Sequence, residues 1–128
     1  MKSHPVYLSD LHTEHQAWLS ALSFYTEDLD VLEEQLSEAG IKNNSPEARS
    51  AVEKFQGQFA DIRKELSGLQ EQVTKHEDSM VQFAQEHPVA IEHVHFADHD
   101  DLRGQVAAFE SEIKAFRHEF QLFIAQYL

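Results

Sequence analysis

The stretch LHTEHQAWLSALSFYTEDLDVLEEQLSEA, residues 11–39, decides the fold. Its apolar residues recur at alternating spacings of three and four: Leu11, Trp18, Leu22, Tyr25, Leu29, Leu32, Leu36 and Ala39, with His15 standing where the next leucine belongs. That alternation is the a/d heptad signature of a helix with one narrow apolar seam. The same alternation returns twice. Ala48, Val52, Phe55, Phe59, Ile62, Leu66, Leu69, Val73, His76, Met80 and Phe83 form a second seam, and His99, Leu102, Val106, Phe109, Ile113, Phe116, Phe120, Phe123 and Tyr127 a third. Flanking positions such as Glu33, Gln35, Gln58, Glu65, Glu110 and Glu112 are polar, which keeps each seam narrow.

Breakers and caps divide the chain between these seams. Ser9 reads as the cap of the first helix, with Asp10 and Glu14 in the first turn, and Gly40 as its C-terminal stop. Ser45-Pro46-Glu47 reads as an N-cap, a first-turn proline and an acid at the positive helix end. His87-Pro88 ends the second helix, and Asp98 caps the third. With only 4 Gly and 3 Pro in 128 residues, the expectation is an all-α domain: a long three-helix up-down-up antiparallel bundle with coiled-coil-like heptad seams. Its helices cover about residues 9–39, 46–86 and 98–128, and a histidine-rich loop covers 87–97. Residues of the first two helices face each other where their numbers sum to roughly 85, at about 1.5 Å rise per residue. The rod is then polarised, with an aromatic half around Tyr25, Phe55, Phe59, Phe120 and Phe123 and a histidine half opposite.

On the same count the third helix stops short of the first hairpin and leaves Leu32, Leu36, Ala48 and Val52 uncovered, an apolar surface suited to a second copy or a partner helix. Ala17, Phe24 and Val31, seven residues apart, form a second, weaker stripe on the first helix. Eight acidic residues and no lysine or arginine lie between Ser9 and Ala39, so two such helices repel, and a homodimer through this face needs its apolar centre to outweigh that repulsion; the expected partners are a second copy or a helical or basic protein.

Composition excludes several function classes. A formal charge of −13 repels phosphate backbones and anionic lipid headgroups, so neither nucleic acid nor a membrane surface is an expected partner. The chain has no cysteine, hence no disulfide framework and no thiolate metal site. Residues 1–11 carry no apolar leader segment, so the expected location is cytoplasmic. No Gly-rich phosphate loop and no nucleophile–base pairing is visible, and the chain is not expected to be an enzyme.

The remaining chemistry lies in 9 histidines. His15, His76 and His99 occupy seam positions in the same half of the rod. His12 lies one turn before His15, and His95 lies four residues before His99, so both can join a site as auxiliaries. Imidazoles gathered in this way bind zinc or another divalent transition metal, nickel, copper or iron among them, with Asp10, Asp98 and Asp100 as nearby carboxylates. His99 joins His15 and His76 only if the 87–97 loop folds back along the bundle. Buried polar residues at seam positions also serve to fix register, and neutral buried histidines can make a bundle pH-sensitive. The carboxylate di-iron bundles need Glu-x-x-His on two helices; here the spacing occurs once, at Glu92 and His95. No His-x-x-x-Glu and no His-Glu-x-x-His element occurs.

Two readings follow. The first is a non-enzymatic interaction or scaffold protein acting through Leu32, Leu36, Val52, Phe24 and Val31. The second is a divalent-metal-binding bundle that buffers or senses a cation, with His15, His76 and His99 as ligands.

Overall fold

The heptad seams fold as long helices because nothing inside them interrupts a 3.6-residue period. A computed structural model describes residues 8–86 and 93–128, with side chains from Ser9 to Glu86 and from Ala97 onward. It contains helix α1 (Leu8–Lys42), helix α2 (Pro46–Glu86) and helix α3 (His93–Tyr127), each packed against the other two. The all-α three-helix bundle read from the seams is the observed architecture.

Two helix ends differ from the sequence reading. Gly40 does not stop α1: it stays helical and lacks the positive φ of a C-terminal glycine cap. The helix runs to Lys42, and Asn43 closes it by donating from both its backbone N–H and its side-chain Nδ2 to the Ala39 carbonyl. At the other end of the rod α3 starts at His93, so Asp98 lies inside the helix, and Ser9 lies one residue inside α1. The α2 start is as expected: Ser45 Oγ accepts the Ala48 N–H at 3.2 Å.

The register also shifts. The α1–α2 pairs His15–Glu77 and Asp30–Arg63 sum to 92 and 93 rather than 85, because α1 continues past Ala39 before the chain turns. Helices α1 and α3 run parallel with a nearly constant offset. His15 meets His99 and Asn43 meets Tyr127 at separations of 84, and Tyr25 meets Glu110 at 85. A separation of 84 is twelve heptads, so the facing seam residues of α1 and α3 hold the same heptad position.

This register covers the first hairpin. Asn43 Nδ2 donates to the Tyr127 carbonyl at 2.6 Å, which ties the end of α3 to the α1–α2 turn. Leu32, Leu36 and Ala48 are buried and Val52 is partly buried against the same core, so the uncovered seam expected from the sequence does not exist. Phe24 and Val31 do stay on the surface, 57% and 55% exposed.

The polarity of the rod is as read. One continuous core runs from Leu22 through Phe55, Phe59, Phe109, Phe116 and Phe120 to Phe123. Phe120 is wholly buried and meets Phe55 and Phe59 edge-on, with centroids 5.2 and 5.3 Å apart, the arrangement aromatic quadrupoles favour. A smaller cluster of Trp18, Val73, Leu102 and Val106 separates this core from the histidines.

Candidate functional site

Each helix delivers one histidine to the same layer. His15 on α1 and His99 on α3 are wholly buried, and His76 on α2 is 8% exposed. The His15 ring lies 5.1 Å from His76 and 4.8 Å from His99, centroid to centroid, and one ring nitrogen from each of the three lies within 4.8 Å of the others. His99 needs no folded-back loop to get there, because α3 begins early enough to carry it into the layer as part of the helix. Trp18 closes the side facing the apolar core, stacked on His99 at 4.8 Å and tilted against His15 at 5.4 Å.

The outer edges of two of these rings are held by carboxylates. His15 Nδ1 lies 2.7 Å from Glu77 Oε1, and His99 Nε2 lies 2.6 Å from Glu14 Oε1. Both nitrogens face acceptors and therefore carry protons. The inner nitrogens, His15 Nε2 and His99 Nδ1, face each other 2.8 Å apart. Arg103 braces the far side, donating from Nε and a terminal nitrogen to the two oxygens of Glu14, and is itself held by Asp100. His12, on the surface of α1, reaches the second oxygen of Glu77 at 2.5 Å.

The electrostatics keep the carboxylates ionised. The Arg103 hydrogen bonds, joined by one from His99, outweigh burial and bring the Glu14 carboxyl down to about 2. Burial pushes the Glu77 carboxyl up, but the hydrogen bonds from His15 and His12 outweigh it and leave it lowered. Burial pushes His99 below its ordinary value against the pull of Glu14, so at neutral pH that ring is uncharged and keeps a lone pair to offer.

Matching against protein-family models, curated proteins and solved structures finds nothing similar to this chain.

Three imidazoles with nitrogens within 4.8 Å of one another could hold a transition-metal ion, and the carboxylates on the outer nitrogens of two of them would orient those ligands. Tetrahedral coordination at about 2.0–2.1 Å places ligand nitrogens about 3.4 Å apart. The inner nitrogens of His15 and His99 are closer than that, and no pair in the triad is farther apart than 4.8 Å, so small side-chain rotations would bring all three to bonding distance.

The sequence-named residues divide as follows. His15, His76 and His99 come together, and His12 lies beside them through Glu77. His95 falls on α3, but its side chain lies outside the described residues, as does the 87–92 segment of the expected loop. Asp10 and Asp98 are exposed, and Asp100 serves Arg103 rather than the histidines. The carboxylates that do hold the rings, Glu14 and Glu77, were not foreseen from the sequence. Each adjoins a seam histidine, in Glu14-His15 and His76-Glu77, and each reaches across to a histidine of another helix.

Proposed function

We propose that this protein is a divalent transition-metal-binding helical bundle that buffers or senses its cation through His15, His76 and His99. The observation that carries the reading is the pairing of inner and outer nitrogens. His15 and His99 each give one nitrogen to a carboxylate and turn the other toward the centre of a triad buried on three separate helices. A register-fixing polar layer needs hydrogen bonds, but it has no need for three imidazoles converging on one point. Glu14 and Glu77 supply two negative charges beside the centre, which favour a cation there. Zinc fits this donor set, and nickel, cobalt and copper accept it as well.

Native mass spectrometry of the protein with one equivalent of Zn(II) tests the reading. The expected result is a single bound ion, lost in His15→Leu and in His76→Leu while circular dichroism still reports a helical fold. A wild-type protein that stays free of metal at micromolar Zn(II), Ni(II) and Co(II) would overturn it.

A second reading, interaction with a basic helical partner, is supported by one observation. Phe24 and Val31 remain exposed on α1, flanked by the exposed Glu27 and Glu34. Leu32 and Leu36 belong to the core and lend this reading no support.

A further inference from the structure

The triad is buried, so an ion that reaches it must pass between helices, and a groove opens beside it at Glu77, the carboxylate bonded to His15. It has a volume of about 190 Å³, lies between α1 and α2, and is lined by Ser9, His12, Glu77, Met80, Val81 and Ala84. Its polar wall is the pair His12 and Glu77. The His12 side chain is 52% exposed and that of His15 is wholly buried, yet both bind the same carboxylate, one on each oxygen. Glu77 thus spans the boundary between solvent and core. On the other wall, Met80 is buried in the α2 seam one turn beyond His76. An unbranched thioether is the apolar side chain that swings aside at least cost, and its sulfur is itself a soft donor.

We infer that His12 and Glu77 form a surface capture station for a divalent transition-metal ion, and that the groove they line is the port through which the ion enters the His15–His76–His99 centre. This rests on the metal reading above. An imidazole nitrogen and a carboxylate oxygen 2.5 Å apart at the surface are an N,O pair for a cation. Two ligands with open solvent beyond them hold an ion only weakly, which suits a station that must release it. The next donors inward are the Met80 sulfur and the His76 ring, one helical turn apart on the same seam. The surrounding charge steers the ion to the port, since the chain carries a formal charge of −13.

A port that is absent from the final complex lowers the barrier in both directions and leaves the equilibrium unchanged. The kinetic signature is therefore distinct from that of a ligand. Trp18 is the only tryptophan and stacks on His99, so full quenching of its fluorescence by paramagnetic Ni(II) or Co(II) reports arrival at the inner centre. In stopped-flow mixing of the full chain with Ni(II), His12→Ala is expected to load about tenfold more slowly, the scale of rate gained by charged steering sites. Its release into a chelator should slow by the same factor, with the dissociation constant unchanged. His118→Ala, at an exposed histidine of α3, should load at the wild-type rate. A wild-type loading rate in His12→Ala would overturn the port and leave the metal centre standing. A weakened affinity at an unchanged loading rate would also overturn it, by making His12 an equilibrium ligand. Slowing of equal size in His118→Ala would overturn it as well, by assigning capture to any surface histidine. Failure of either ion to quench Trp18 in the wild type would remove the metal reading and the port together.

Discussion

Replacing Glu14 by glutamine removes one charge from the most strongly coupled group at the site and keeps its shape. In the folded protein Glu14 accepts from His99 Nε2 at 2.6 Å and from Arg103 at 2.7 and 2.9 Å. Its carboxyl falls from an ordinary 4.5 to about 2, chiefly through Arg103. A difference of that size corresponds to about 3 kcal/mol of stability. The Glu14 side chain is 30% exposed and that of Arg103 45%, so solvent screening reduces the figure to about 2 kcal/mol. The sign follows from the depressed folded value. The contribution is fully present above the unfolded value of 4.5 and is lost as pH falls toward 2. Urea denaturation of wild type and Glu14→Gln should therefore differ by about 2 kcal/mol at pH 7 and pH 6, and by less than half of that at pH 3. At pH 7 the loss equates to roughly 6–10 °C in melting temperature. A gap that stays constant from pH 7 to pH 3, or one within error of zero at pH 7, would refute the assignment of Glu14 as an ionised bridge between His99 and Arg103.

Three further outcomes follow from the packing. Phe120→Ala empties the centre of the aromatic half and should cost about 3–5 kcal/mol in chemical denaturation; a loss under about 1 kcal/mol would mean that this half is loosely packed. A hydrogen bond with the neighbouring Glu112 pushes Glu65 up to about 7, so the protonated pair contributes stability that is fully present below pH 4.5 and is lost as pH rises through about 7. Glu112→Gln should then raise the melting temperature at pH 8 and leave it unchanged at pH 4, whereas an equal effect at both would contradict the repulsion. Leu32→Asp combined with Leu36→Asp should unfold the monomer, because both side chains are core; a folded double variant seen by circular dichroism would restore them to the surface.

The fold could be read in the sequence because a heptad seam states helix, face and length together. The seams from Leu11 to Ala39, Ala48 to Phe83 and His99 to Tyr127 each pack as their spacing implies. Helix ends were less legible. Gly40 looks like a stop, but two hydrogen bonds from Asn43 close the helix one turn later, and the early start of α3 carries no cap that local sequence reveals. These small shifts at the ends moved the register by several residues. That error is what left Leu32 and Leu36 apparently bare and His99 apparently out of reach.

The candidate site was half legible. Three histidines in leucine positions announce a polar layer, and their depth in the rod follows from the same count. Glu14 and Glu77 do not announce themselves, since an acid flanking a seam is ordinary in any helical bundle. Their role depends on which neighbouring helix they lean toward, and that is set by the twelve-heptad offset of α1 and α3 and by the antiparallel register of α2. The equal heptad position of His15 and His99 was the available signal, and it becomes useful only once α1 and α3 are known to be parallel.

The central claim concerns where an ion binds, so the direct measurement is anomalous X-ray scattering at the zinc edge from crystals of the protein grown with one equivalent of Zn(II). The account predicts one strong peak, bonded to His15 Nε2, His99 Nδ1 and a ring nitrogen of His76, with Glu77 and Glu14 still hydrogen-bonded to the outer nitrogens. A peak confined to surface carboxylates or to exposed histidines such as His118, with the triad undisturbed, would contradict it.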